Sequence, residues 1–304
     1  MRDFVLPIKT RPQPLRALPI NPVLRPPVSV SRKNPFNNLG MLLLSIMHKE
    51  NSPSLSAILI TKNESLNIEE CVRSVRFCNE VIVLDSGSTD DTVLKAKALG
   101  CEVIQTTDWP GYGLQKQRGI NHATSQWILS IDADERVTLQ LQEEILDAIK
   151  MDIADGYRIK RRSFFLERWM SFGGWYPDYV LRLARREKCK FDSSLVHEKM
   201  MVNGELRNLK HPLLHHAYLS IDDVLEKQKR YALLGAETIH RRYPHEISIL
   251  TALGHSLWTF FRLYILQCGV LDGRAGFISA TAKSQETFWK YIAARYQSRK
   301  SSFL

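Results

Sequence analysis

Asp132 and Asp134 are the residues around which chemistry can be built. They close the run Trp127-Ile-Leu-Ser-Ile-Asp132-Ala-Asp134-Glu135, where a stretch rich in Ile ends abruptly in three acids. A buried parallel strand delivers carboxylates to the open edge of a sheet in this way, and α/β proteins bind ligands at that edge. Two carboxylates two residues apart share one side of a continuing strand, or reach one point from a tight loop. Their hard oxygens suit a divalent metal that carries a diphosphate. The competing reading of an isolated Asp-x-Asp is a solvated acidic turn capping the next helix.

Other acids stand at other strand ends: Glu64 after the first strand, and Asp85 and Asp90 after the second. Carboxylates gathered at one sheet edge repel one another unless ligand donors or a cation join them. A nucleotide supplies donors through its ribose hydroxyls and a base N–H, and a metal supplies the cation. No G-x-G-x-x-G follows the first strand, and no G-x-x-x-x-G-K-[ST] occurs. A metal and basic side chains must therefore meet the diphosphate charge. Lys116 and Arg118, between the third and fourth strands, are the candidates; a solvated helix face is their bland alternative.

The elements that must position these residues alternate. Leu55–Thr61, Val81–Asp85, Glu102–Gln105 and Trp127–Asp132 read as four short buried strands. Ile68, Cys71, Val72 and Val75 fall at i, i+3, i+4 and i+7 of an amphipathic helix. Thr89 or Asp90 is placed to cap a second helix, Gly100 to stop it, and Leu114 to His122 reads as a third. Thr138 can cap a helix with Leu141, Ile145, Ala148 and Ile149 on its apolar face. Strand–helix alternation implies right-handed crossovers and a mainly parallel α/β sheet flanked by helices. Beyond Asp155, Gly156–Lys160 and Tyr179–Arg185 alternate as half-exposed strands do, with a glycine-and-aromatic loop between them. Ser220 and Asp223 form a capping box that opens a helical C-terminal extension.

Three regions follow. Residues 1–50 form a basic leader interrupted by eight prolines from Pro7 to Pro35, either a disordered arm or sequence upstream of a native start at Met41 or Met47. Residues 51–218 form the nucleotide-binding domain, and 219–304 the helical region. The net charge of +10 over 304 residues fits nucleic acid, a membrane surface or an anionic substrate. Five cysteines without a CxxC pair indicate a reducing compartment and no structural zinc. The apolar stretch 247–270, interrupted by His255 and Arg262, reads either as a buried packing helix or as a monotopic face for lipid. A full bilayer span is the least favoured alternative.

Thr61-Lys-Asn63-Glu64, Val83-Leu-Asp-Ser-Gly-Ser-Thr-Asp90, Gln115-Lys-Gln-Arg118 and Asp132-Ala-Asp134 resemble the successive motifs of family 2 glycosyltransferases with the GT-A fold. Gly173-Gly-Trp-Tyr-Pro-Asp178, Val180-Leu-Arg-Leu, Val196-His-Glu198, Leu214-His215 and Val270-Leu-Asp-Gly-Arg-Ala-Gly276 are similar to the branch that adds glucose to the heptose inner core of lipopolysaccharide. The resemblance covers roughly Leu55 to Tyr296.

It implies an inverting transfer from a nucleotide sugar, UDP-glucose foremost, that depends on a divalent metal, Mg or Mn. Asp85 and Asp90 would hold the uridine, with Thr61, Asn63 and Glu64 beside it. Asp132 would meet ribose and metal, Asp134 the metal, and Lys116 or Arg118 the leaving diphosphate. His215 matches a late histidine near metal or diphosphate, with a core histidine as its alternative. Glu198 is the first candidate for catalytic base and Asp178 the second; ion pairing is the bland alternative for Glu198. Gly173 and Gly174 would expose Trp175 and Tyr176 to stack on a sugar. The expected setting is the cytoplasmic face of the inner membrane, as a peripheral protein with a lipid-linked glycan acceptor. A polyprenyl phosphate or another glycan is the alternative acceptor. A basic nucleic-acid-binding protein, or a non-catalytic nucleotide-sugar binder, is the alternative of another class.

Overall fold

The computed structural model describes residues 53–192, 199–242 and 247–301. The leader and the Val196-His-Glu198 segment lie outside them. Strands β1 (Leu55–Thr61), β2 (Glu80–Asp85), β3 (Glu102–Gln105) and β4 (Trp127–Asp132) form a parallel block in the order β3-β2-β1-β4. Helices α1 (Ile68–Ser74), α2 (Thr92–Ala98) and α3 (Tyr112–His122) make the crossovers. The apolar spacing works as expected: Ile68, Cys71, Val72 and Val75 are all buried against the sheet. Thr138 accepts from the Leu141 amide and starts α4 (Leu139–Met151), whose buried residues are Leu141, Ile145, Ala148 and Ile149.

The sheet then continues through β8 (Asp178–Arg185), β6 (Gly156–Phe165), β12 (Leu213–Tyr218) and β5 (Glu135–Val137); short strands β7 (Arg168–Trp169) and β11 (Leu206–Asn208) also pair with β6, and β9 (Cys189–Phe191) pairs separately with β10 (Met200–Val202). This second half is mixed: β4 meets β8, and β8 meets β6, antiparallel, whereas β12 runs parallel to β6. The fold agrees with the GT-A expectation, with its parallelism concentrated in the nucleotide half. Successive strands leave β1 in opposite directions, so the β1/β4 crevice is the switch point where such sheets bind ligands. Ile60 lies opposite Asp132, and Thr61 opposite Asp85, so two strand-end acids flank the end of β1.

The C-terminal region is helical. Ser220 and Asp223 form the capping box, with Ser220 Oγ accepting from the Asp223 amide at 3.1 Å and Asp223 Oδ2 from the Ser220 amide at 2.9 Å. Helix α5 (Ile221–Arg242) packs on α7 (Gly273–Ser301), which also carries α6 (Ile249–Phe261). A π-turn over Arg262–Leu266 and a tight turn over Gly269–Asp272 reverse the chain between α6 and α7. That reversal needs glycine, because a Cβ on Gly276 would lie 1.9 Å from the Gly269 carbonyl oxygen.

Candidate active site

A cleft of about 1320 Å³ opens at the switch point. Glu64, Lys116, Asp132, Asp134, Asp178, Gly173, Gly174, Trp175 and His215 line it. Asp132 ends β4, and Asp134 sits on the tight turn to β5, so the loop geometry operates rather than a continuing strand.

Asp132 is held by two cations. Lys116 Nζ, carried inward on α3, lies 3.0 Å from Oδ1, and the Arg182 guanidinium grips Oδ2. Burial would raise the Asp132 carboxyl, but Arg182 and Lys116 outweigh it and hold it well below the usual carboxylate range. Arg182 NH2 also bonds Glu135 Oε1 at 2.6 Å, and Glu135 has no exposed surface. Burial disfavours a charged guanidinium, yet Asp132 and Glu135 together push Arg182 above its ordinary range. Arg161 continues the pattern, with NH1 3.7 Å from Glu135 and NH2 2.6 Å from Asp178. A row of alternating charges thus runs Lys116–Asp132–Arg182–Glu135–Arg161–Asp178 beneath the cleft.

Pairing of β12 with β5 and β6 sets His215 opposite Glu135 and Ser163. Its Nε2 lies 3.3 Å from Asp134 Oδ2, and its Nδ1 lies 3.0 Å from Ser163 Oγ. Burial would raise the Asp134 carboxyl; the bond from His215 prevails and lowers it. Glu64 goes the other way, raised by burial and by the nearby charge of Asp134. Asp134 and His215 bring one hard oxygen and one imidazole nitrogen together, whereas both oxygens of Asp132 are engaged by Lys116 and Arg182, and no cluster of three such donors forms among the described residues. The Asp134–His215 pair fits a divalent ion that completes its shell with diphosphate oxygens and water.

Other sequence-predicted residues hold the walls. Asp85 is fully buried; Oδ1 accepts from the Gly87 amide at 3.1 Å and the Ser88 amide at 2.9 Å, and Oδ2 from the Thr61 hydroxyl at 3.1 Å. The Ser88 hydroxyl also donates to Oδ2. These bonds occupy Asp85 with its own loops, so its direct service to uridine would require giving some of them up. Asn63 takes a left-handed φ of 57°. Its amide donates to Ser88 Oγ at 2.8 Å, and its Oδ1 accepts from the Thr89 amide at 2.8 Å. Asp90 closes the same seam by accepting from the Ser65 amide at 3.1 Å.

Asp90 is exposed, and the Thr92 hydroxyl, with the Thr92 and Ser65 amides, lowers its carboxyl to about 2. Its contribution to stability is present above the unfolded value of 3.8 and is lost as pH falls toward about 2. Asp90→Asn is therefore expected to flatten the fall in stability over that window, read by urea denaturation at stepped pH.

Three further sequence-predicted residues have partners of their own. Arg118 forks onto Asp108 at 2.8 and 2.6 Å and stays outside the cleft lining, whereas Lys116 lines it. Tyr176 also stays outside that lining and carries Lys160 Nζ 5.8 Å from its ring centroid. Trp175 lines the cleft, but its indole N–H donates to Ser279 Oγ at 2.8 Å and its ring packs on Phe165 and Tyr218. It braces the loop on α7. Positive φ angles of 63° and 80° at Gly173 and Gly174 shape that loop.

Asp178 faces the cleft with Oδ2 held by Arg161 Nε at 3.0 Å and NH2 at 2.6 Å. Glu198 lies outside the described residues. Sequence reasoning missed Arg182, Glu135 and Arg161. The available signal was an arginine set inside the apolar strand Val180-Leu-Arg-Leu.

The family model for glycosyl transferase family 2 matches residues 56–196. A lipopolysaccharide core biosynthesis glycosyltransferase of Rhizobium meliloti, LpsC, is 31% identical over 241 residues, covering 74% of this chain and 86% of the relative. An uncharacterised glycosyltransferase of Rickettsia conorii is 28% identical over 270 residues, covering 84% and 94%. Among solved structures, glucosyl-3-phosphoglycerate synthase of Mycobacterium tuberculosis aligns at 22% identity and a TM-score of 0.36. That alignment covers 46% of this chain and 59% of that one. The extended match to LpsC, together with the family model, settles the assignment: the chain belongs to family 2 of the glycosyltransferases.

Proposed function

We propose that the protein transfers a hexose, glucose from UDP-glucose foremost, with inversion onto a heptose of a lipopolysaccharide core at the cytoplasmic face of the inner membrane. The observation that carries this reading is the Asp132-Ala-Asp134 turn at the switch point, with Lys116 beside it and His215 against Asp134. Similarity to LpsC supports the acceptor class. The far wall of the cleft carries Lys227, Arg230, Arg262 and Lys283, which suits an acceptor bearing anionic groups.

A divalent metal bound by Asp134 and His215 would neutralise charge on the leaving diphosphate. Lys116 supports the same oxygens from the α3 side. Glu64 and the seam between the β1 and β2 loops border the nucleoside. The acceptor hydroxyl oxygen attacks the anomeric carbon in line as the bond from that carbon to the diphosphate oxygen breaks. A carboxylate takes the hydroxyl proton, and UDP leaves. Glu198 is the proposed base and Asp178 the reserve. Asp178 starts from an ion pair with Arg161, which it would have to loosen to reach the acceptor hydroxyl.

UDP release across a panel of UDP-sugars, with and without Mg or Mn, tests the donor half. Metal-dependent hydrolysis of UDP-glucose supports it, and inertness toward every UDP-sugar overturns it. With truncated lipopolysaccharide as acceptor, Glu198→Gln is expected to lose transfer. Retention of full transfer would move the base to Asp178.

A further inference from the structure

Helix α6 is built inside out. Its small and polar residues Ala252, Ser256 and Thr259, at i, i+4 and i+7, face α7, where Ser256 and Ser284 exchange hydroxyl-to-carbonyl bonds of 2.9 Å. Its large apolar residues face outward. Leu250 is 78% exposed, Leu257 68% and Trp258 55%, with Leu253, Phe261 and Ile265 completing one stripe. Only 11% of the apolar window Ile249–Leu266 is buried. Ordinary surface helices turn the opposite face to the core. A contiguous apolar stripe of this kind marks an interaction surface.

Charge decides what it meets. Between residues 247 and 296 the only acids are Asp272 and Glu286, and both are buried. Asp272 is held by Arg168 and by the Ser171 and Phe172 amides, and Glu286 by Lys283. Arg262, Arg274 and Lys283 are exposed along the same stretch. The described outer surface of this hairpin is thus apolar and cationic, without an exposed acid between residues 247 and 296. Position adds a further constraint: Arg262, Leu263 and Gln267, continuing directly from α6, line the cleft.

We infer that the α6 stripe lies in the interfacial plane of an anionic lipid bilayer, with its apolar residues among the acyl chain ends and Arg262 and Arg274 at the headgroups. The helix lies along the surface rather than across it, because the serine bonds bind it to α7 and the chain turns back at Gly269–Asp272. The cleft mouth then opens at the membrane plane, where a lipid-linked sugar presents its hydroxyl. The lipid contact rests on the helix alone; the orientation argument rests on the acceptor reading above.

Co-sedimentation of the full chain with phosphatidylcholine vesicles, with and without phosphatidylglycerol, tests this directly. Wild type is expected to pellet with the phosphatidylglycerol vesicles and to be released by salt. Leu257→Glu with Trp258→Glu is expected to weaken that binding by ~10-fold or more, while UDP release from UDP-glucose in solution stays unchanged. Leu250→Ser with Leu253→Ser, milder in charge, is expected to weaken it less. Wild type remaining in the supernatant, or the glutamate variant pelleting equally, overturns the proposal. So does a dimer in solution that the glutamate variant splits, since a second copy would then cover the stripe. UDP release reports separately on the donor site.

Discussion

Asp134→Ala is expected to lower sugar transfer by ~10³-fold, about 4 kcal/mol of transition-state stabilisation, with little change in thermal stability. Asp134 is partly exposed on a turn, and its side-chain bond goes to His215 at 3.3 Å, so its removal opens no core cavity. What is lost is a hard, ionised oxygen at the point where diphosphate charge develops. The loss should appear in kcat as well as in kcat/KM, because a charge needed most at the transition state is not restored by saturating donor. His215→Ala is expected to follow in the same direction with a smaller loss. Isothermal titration of metal and UDP into both variants separates donor binding from chemistry. Unchanged UDP release in Asp134→Ala would reduce the residue to an anchor for His215.

Arg182→Met is expected to cost ~3 kcal/mol or more of folding stability, because it strands buried carboxylates that the guanidinium neutralises. Arg182 and Glu135 are buried, and one guanidinium nitrogen serves both Asp132 and Glu135. Removing it leaves Glu135 with Arg161 at 3.7 Å as its remaining cation. A drop in melting temperature of ~10 °C is the matching readout for a domain of this size. Adding Glu135→Gln should return part of the loss, since the uncompensated charge is then gone. Equal stability of single and double variants would mean that the guanidinium acts by packing. Arg182→Lys restores the charge but lacks the planar fork, so it is expected to recover only part of the stability.

The parallel half of the sheet was legible because its strands are short apolar runs, two of them closed by an acid (Asp85 and Asp132), and because α1 and α4 repeat their apolar residues at helical spacing. Thr138 and the Ser220–Asp223 box announced helix starts through local bonds. The mixed half was not legible in detail. Strand β5 has three residues, too few to show a period, and it exists because β12 arrives from far along the chain to pair with it. Glu135 stood only as the third acid closing the β4 run, whereas the fold buries it against Arg182, 47 residues away. Charge pairs of that separation leave no mark in local pattern. Asp85 and Asp90 were visible as acids at a strand end. Whether such acids face a ligand or their own loop depends on where Gly87, Ser88 and Thr92 point their donors, which spacing does not encode. Arg118 shares a helix with Lys116, but a step of two positions, roughly 200° around the helix, turns it away, onto Asp108.

The seam between the β1 and β2 loops bears on how a nucleotide binds. Asn63, Ser65, Ser88, Thr89 and Asp90 tie the two loops together through their own bonds. Ordering a backbone residue costs ~1–2 kcal/mol of conformational entropy, and here folding has met that cost before the nucleotide arrives. If the proposed nucleotide sits against this seam, contacts made by its base and ribose would convert into affinity with little deduction for loop ordering. On that reading, the bonds of Asn63, Thr89 and Asp90 could persist as the nucleotide enters, whereas any direct bond to Asp85 would first displace one of its loop donors. Selectivity at this end of the cleft then belongs to a rigid template, which rejects an ill-fitting base instead of remodelling around it.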